Sequence, residues 1–313
     1  MDKNSVIGLV LIAVILIVYS LVFVEPDEPE IVDLENPVEQ VDPVISAPQE
    51  TSPATTTAAI ADTSNLSEEF GVYAAAMRGE EKTFVIETEK AKYTFSNKGG
   101  RIQSVNLTEY LTYDEKPLIL FDETTAQQAL NIVTTKGIVD LNSLYFNTSN
   151  TDRRVSADGS VIVKFVANLG NGDSVEQTYT ISSEKYDLDY QIKVNGLRNS
   201  IISDDVTMIG SNSMKRYEKN LDDSRNKTTL RYYTLAEDSD NLSATSKDPQ
   251  TEIIPEGVKW LSFSQKFFNS GIISEKGFTQ ATIGSTPGLD STTVKTGRME
   301  LSLPIADLYE GAN

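Results

Sequence analysis

Between residues 160 and 195 the chain alternates with a period of two. Val161, Val163, Phe165, Ala167 and Leu169 fall on one side of an extended backbone, and "GNGD" then supplies a turn. On the return strand Val175, Tyr179 and Ile181 continue the apolar side, interrupted by Gln177. Leu188, Tyr190, Ile192 and Val194 alternate with Asp187, Asp189, Gln191, Lys193 and Asn195, which predicts one dry face and one wet face. "TFVIET", "PLILF", "VTMIG", "KWLSFSQKFF" and "MELSLP" are further strand candidates. In "YTFSNKGGRIQSVNLTEY", Tyr93 and Phe95 share a face, Asn97–Gly100 form a turn with positive φ, and Val105 and Leu107 share a face on return. Ile102 is out of phase with them, which predicts a bulge just after the turn. Strands this many and this closely spaced predict a mainly β protein, a large antiparallel β-sandwich forming one domain over residues 80–313.

The pattern before residue 80 is different. Val6 to Val24 carries no charged residue, and a helix of that length spans about 28 Å. The run is too long for a signal-peptide core and exits into "VEPDEPE" without a small-x-small site, so residues 1–24 are expected to be an uncleaved transmembrane anchor. Lys3 precedes the helix and the next basic residue after it is Arg78, which puts the N-terminus in the cytoplasm and residues 25–313 outside. Residues 25–79 read as an acidic, Pro-rich linker containing one short helix, about 67–78. Ser67 suits its N-cap and Gly79 its end; Phe70, Tyr73, Ala74 and Met77 make its apolar stripe.

Composition narrows the chemistry. The formal charge is −19, but Glu25 to Met77 holds twelve acidic residues and no Lys or Arg, leaving 33 acidic and 26 basic residues over 78–313. A mildly acidic body has no electrostatic footprint for nucleic acid. There is no Cys, which excludes disulfides and thiolate chemistry, and no His, which removes the commonest general base and most zinc sites.

Candidate catalytic features are few. Asp187 and Asp189 share a strand face and could pair as acid and base, although alternation already accounts for them as solvent-facing. "DSDNLSATSKDP" opens like a calcium loop at Asp238 and Asp240, but Leu242 takes the fifth position and Pro249 closes it, so it reads as an acidic surface loop. Trp260, Phe263, Phe267 and Phe268 could form an aromatic platform; a buried strand is the preferred account. No catalytic, cofactor-binding or metal-ligating residue is assigned.

"MDKNSVIGLVLIAVILIVYS", "FGVYAAAMRG", the stretch Tyr93–Asp122 and "VKWLSFSQKFF" together resemble, in the same order, landmarks of the YidC membrane-protein insertases in their Bacteroidota-like branch. The resemblance implies an inner-membrane protein that inserts and folds other membrane proteins, with or without the Sec translocon. It implies that residues 80–313 are a periplasmic β-supersandwich similar to sugar mutarotases, truncated at its C-terminal end. It implies nascent membrane proteins and the lipid bilayer as partners, with Sec components and the ribosome reached through a C-terminal membrane core absent from this chain. Mutarotases use a histidine with a carboxylate, so the resemblance carries no enzymatic activity here. Two other readings stay open. One is a stand-alone, membrane-anchored periplasmic module binding peptide or glycan; the other is a carboxylate enzyme acting on sugars.

Overall fold

The computed structural model describes residues 66–311. The anchor expected at 6–24 and the tether at 25–65 lie outside the described residues. Residues 66–70 form one helical turn, and the chain then tightens into a 3-10 helix, Gly71–Ala76. Gly71 has φ +58, which an α-helix cannot hold. With three residues per turn, positions 70, 73 and 76 line up, so Ala76 rather than Ala74 is buried beside Tyr73.

The rest is sheet. Four sheets account for eighteen strands: one of five strands, one of three, one of six and one of four. The alternating strand Ser160–Gly170 pairs antiparallel with Asp173–Ser182, which pairs in turn with Leu188–Asn195. All five of its alternating apolar residues are buried. They share one core with Phe84, Ile86 and Phe95 of the five-stranded sheet and with Leu130 and Ile132 of the six-stranded sheet. A second core lies between the four-stranded sheet, through Leu230, Leu261 and Phe263, and the other strands of the six-stranded sheet, through Ile283 and Leu301. The six-stranded sheet therefore serves two sandwiches. That is a supersandwich.

The turn between strands Ala91–Ser96 and Arg101–Leu111 accounts for the polar break at Gln177. Gly99 and Gly100 have φ +81 and +56. A Cβ on Gly100 would sit 3.1 Å from the Phe165 side chain, so the turn needs glycine for space as well as for φ. Its two carbonyls are buried and require donors. Gln177 Nε2 donates to the Gly99 carbonyl at 2.7 Å, and the Tyr179 hydroxyl donates to that of Gly100 at 3.0 Å. Tyr190 Oη donates in turn to Gln177 Oε1 at 2.9 Å. Burial pushes both phenols up, so they remain donors at any physiological pH. The bulge follows the turn: Thr94 faces Ser104 while Phe95 faces Ile102. Gln177→Leu should cost about 2–4 kcal/mol, because it strands the Gly99 carbonyl and the Tyr190 hydroxyl in the core. In that background Tyr190→Phe should cost nothing further, since its hydroxyl has lost its partner; denaturant titration of the four proteins of this cycle checks both.

A second local tie has a pH signature. Asp122 Oδ2 accepts from Lys215 Nζ at 2.6 Å, and Asp122 Oδ1 accepts from the Thr124 amide at 3.0 Å. Burial alone would push this carboxyl up, but Lys215 and Thr124 outweigh it and hold it at about 2. A carboxyl depressed on folding stabilises above its unfolded value and loses that contribution as pH falls through its folded value. Asp122→Asn should therefore melt below the parent at pH 7, and the gap should close between about pH 4 and 2.

Candidate functional site

A groove of about 690 Å³ lies where the five-stranded and three-stranded sheets meet. Its floor is the segment Tyr145–Thr148, which is held from three directions. Tyr145 N–H donates to the Ala76 carbonyl at 2.7 Å, Phe146 N–H to Asn97 at 2.8 Å, and Asn147 N–H to Val166 at 2.8 Å. One wall is Ala75–Phe84, and the other is Thr148–Asp152 with Asn168. Gly79 lets the first wall close down, since a Cβ there would lie 2.6 Å from the Tyr145 ring.

Asparagines build much of the surface. Asn97 Oδ1 accepts from Lys82 N–H at 2.7 Å and its Nδ2 donates to the Glu80 carbonyl at 3.1 Å. Asn150 binds strand Ser160–Gly170 with both ends of its amide, accepting from Lys164 N–H and donating to the Ile162 carbonyl. Asn147 and Asn168 are exposed, and their carboxamides make no hydrogen bond among the described residues. Charge is balanced: Arg78 and Lys82 against Glu80 and Asp152. Such a lining can exchange hydrogen bonds with a polar, uncharged ligand.

The four aromatics expected on one strand divide. Strand Val258–Ser264 ends before Phe267, so the single buried strand accounts for only part of the set. Phe263 is buried, and half-buried Trp260 stacks on Tyr233 at 6.2 Å. Phe268 packs edge-on against Tyr110 at 5.1 Å and against Tyr217 at 5.8 Å. Phe267 is 66% exposed. No common platform forms. Asp187 and Asp189 are both exposed on the wet face. Asp238 precedes the short exposed edge strand Ser239–Asn241 and Asp240 lies within it, and among the described residues no three acidic side chains gather as a metal site would need. The groove was not legible in the sequence, because its residues lie up to 93 positions apart and Asn168 looks like any other wet position of an alternating strand.

The family model of the YidC periplasmic domain matches residues 83–306. The chain belongs to the YidC family. It is 32% identical to the membrane protein insertase YidC of Cytophaga hutchinsonii, covering 99% of this chain and 50% of that YidC. It is 30% identical to the YidC of Amoebophilus asiaticus, over 90% of this chain and 46% of the relative. The YidC of Parabacteroides distasonis is 29% identical over 97% of this chain and 49% of the relative. The chain thus spans about half the length of the curated YidC proteins it matches. Among solved structures, a galactose mutarotase-like protein from Lactobacillus casei is 13% identical, covers 71% of this chain and 89% of its own, and has a TM-score of 0.43. A likeness that distant assigns no chemistry.

Proposed function

We propose that this chain is the N-terminal part of an inner-membrane protein insertase. In this reading residues 6–24 anchor it with the N-terminus in the cytoplasm, and residues 25–313 stand in the periplasm. The match of the YidC periplasmic domain to residues 83–306, seen beside relatives twice as long, carries the reading. Its substrates are nascent membrane proteins, and it works against the lipid bilayer. Contacts with Sec components and the ribosome fall to the part of the relatives that this chain does not span. The β-domain holds or orients clients and catalyses no covalent step: the chain has no His or Cys, and its groove holds amides and paired charges. The test is restoration of client insertion in cells depleted of their own insertase. Residues 1–313 are compared there with a chain continued through the remaining half.

A further inference from the structure

Strand edges that open onto the groove give it a ligand class. Val166 and Asn147 exchange both main-chain hydrogen bonds, at 2.8 and 2.9 Å. The N–H and C=O of Val166 therefore point away from the neighbouring strand Asp173–Ser182. Two residues on, those of Asn168 must point the same way. Antiparallel register would place Tyr145 opposite Asn168, but Tyr145 turns aside and donates to Ala76 instead. The edge at Asn168 is left open, facing the groove. The facing wall repeats the arrangement. Val85 N–H points outward to the Asp152 carboxylate at 2.7 Å, so Thr83, two residues earlier, also directs its N–H and C=O outward. Asn147 and Asn168 lie on one face, as residues related by a cross-strand pair and a step of two must. Their unengaged carboxamides stand beside the open edge.

We propose that this groove takes an extended, uncharged stretch of a client polypeptide and reads it through its main chain. Open strand edges pair with an added strand by backbone hydrogen bonds, and neighbouring amides can bind the carbonyls and N–H groups left over. Two cations balanced by two carboxylates select neither sign of charge. The proposal rests on the insertase reading for the identity of the client, whereas the site itself stands on geometry.

The experiment uses the full chain in detergent and a fluorescein-labelled peptide of about ten alternating threonines and alanines, read by anisotropy. Methylating alternate backbone nitrogens should weaken binding by about tenfold, whereas shuffling the side chains should leave it unchanged. Asn168→Pro removes the outward N–H without touching the bonds to strand Asp173–Ser182, and should weaken the parent peptide by a similar factor. The double variant Asn147→Ala/Asn168→Ala, at two exposed positions, should do so as well. Absence of binding, or binding indifferent to backbone methylation and to both variants, overturns the proposal. Binding that emerges only after deletion of residues 25–65 would give the groove to the chain's own tether and overturn it too. The insertion test fails independently: a longer chain that binds this peptide in the groove yet restores no insertion would sink the insertase reading and leave the site standing.

Discussion

Residues 1–313, produced in cells depleted of their own insertase, are expected to restore neither growth nor client insertion. A chain continued through the half that the YidC relatives carry beyond it is expected to restore both. Insertion requires a place within the bilayer where a polar segment can wait while its apolar part moves into lipid. Unsatisfied backbone groups and charges are costly in hydrocarbon, so such a place must be lined with polar side chains from several helices. Val6–Val24 offers only Tyr19 and Ser20, both near the C-terminal end of the run. Among the described residues no helix is long and apolar enough to cross a membrane. The periplasmic groove can hold an extended segment but cannot lower the barrier to crossing lipid. Rescue by residues 1–313 would overturn this division of labour, and failure of the longer chain would overturn the proposed function.

What was legible in the sequence follows from how local each signal is. A strand with one buried face writes its alternation into consecutive residues, so Val161–Leu169 and Leu188–Val194 could be read directly. The bulge at Ile102 was legible because one out-of-phase apolar residue beside two glycines returns to the buried face only through an extra residue in the ladder. Strand Gln280–Pro287 was not, since "QATIGSTP" mixes small and polar residues and is held by partners on both sides. Gly297 belongs to the same class: it leaves room for the Phe263 ring of the facing sheet, 34 positions away.

Polar residues hide their environment even more effectively. Lys295 reads as a solvent-facing residue but is 2% exposed, with Nζ donating to the Ala244 carbonyl at 2.6 Å. Burial lowers its pKa. Gln177 reads as a flaw in an apolar row until the carbonyls of Gly99 and Gly100, almost eighty positions upstream, are seen to need donors. The groove combines both difficulties. Its open edge at Asn168 exists because Tyr145 turns toward Ala76 instead of continuing along that strand, a choice set by distant backbone with no local trace.

The same alternation that made the strand legible predicts the largest single-residue effect in the domain. Phe165→Ala should lower stability by about 3–5 kcal/mol, as expected for deleting a fully buried ring whose neighbours cannot collapse into the space. Phe165 is 0% exposed, and four rings surround it: Phe84 at 5.9 Å, Phe95 at 6.0 Å, Tyr179 at 6.3 Å and Phe146 at 6.5 Å. Those neighbours come from different strands and a loop, so the lost ring loosens the junction of two sheets. Gly100 lies against the same side chain, and its turn carbonyls depend on Tyr179 and Gln177. Loss of the ring should therefore also weaken the polar strap over the turn. Phe165→Leu, which keeps most of the volume, should cost only about 1–2 kcal/mol. Ile162, three residues earlier on the wet face, is 61% exposed, and Ile162→Ala should change stability by no more than about 0.5 kcal/mol. Denaturant titration of the three variants checks the ranking. A Phe165→Ala protein as stable as Ile162→Ala would mean that the strand does not present its apolar face to the core.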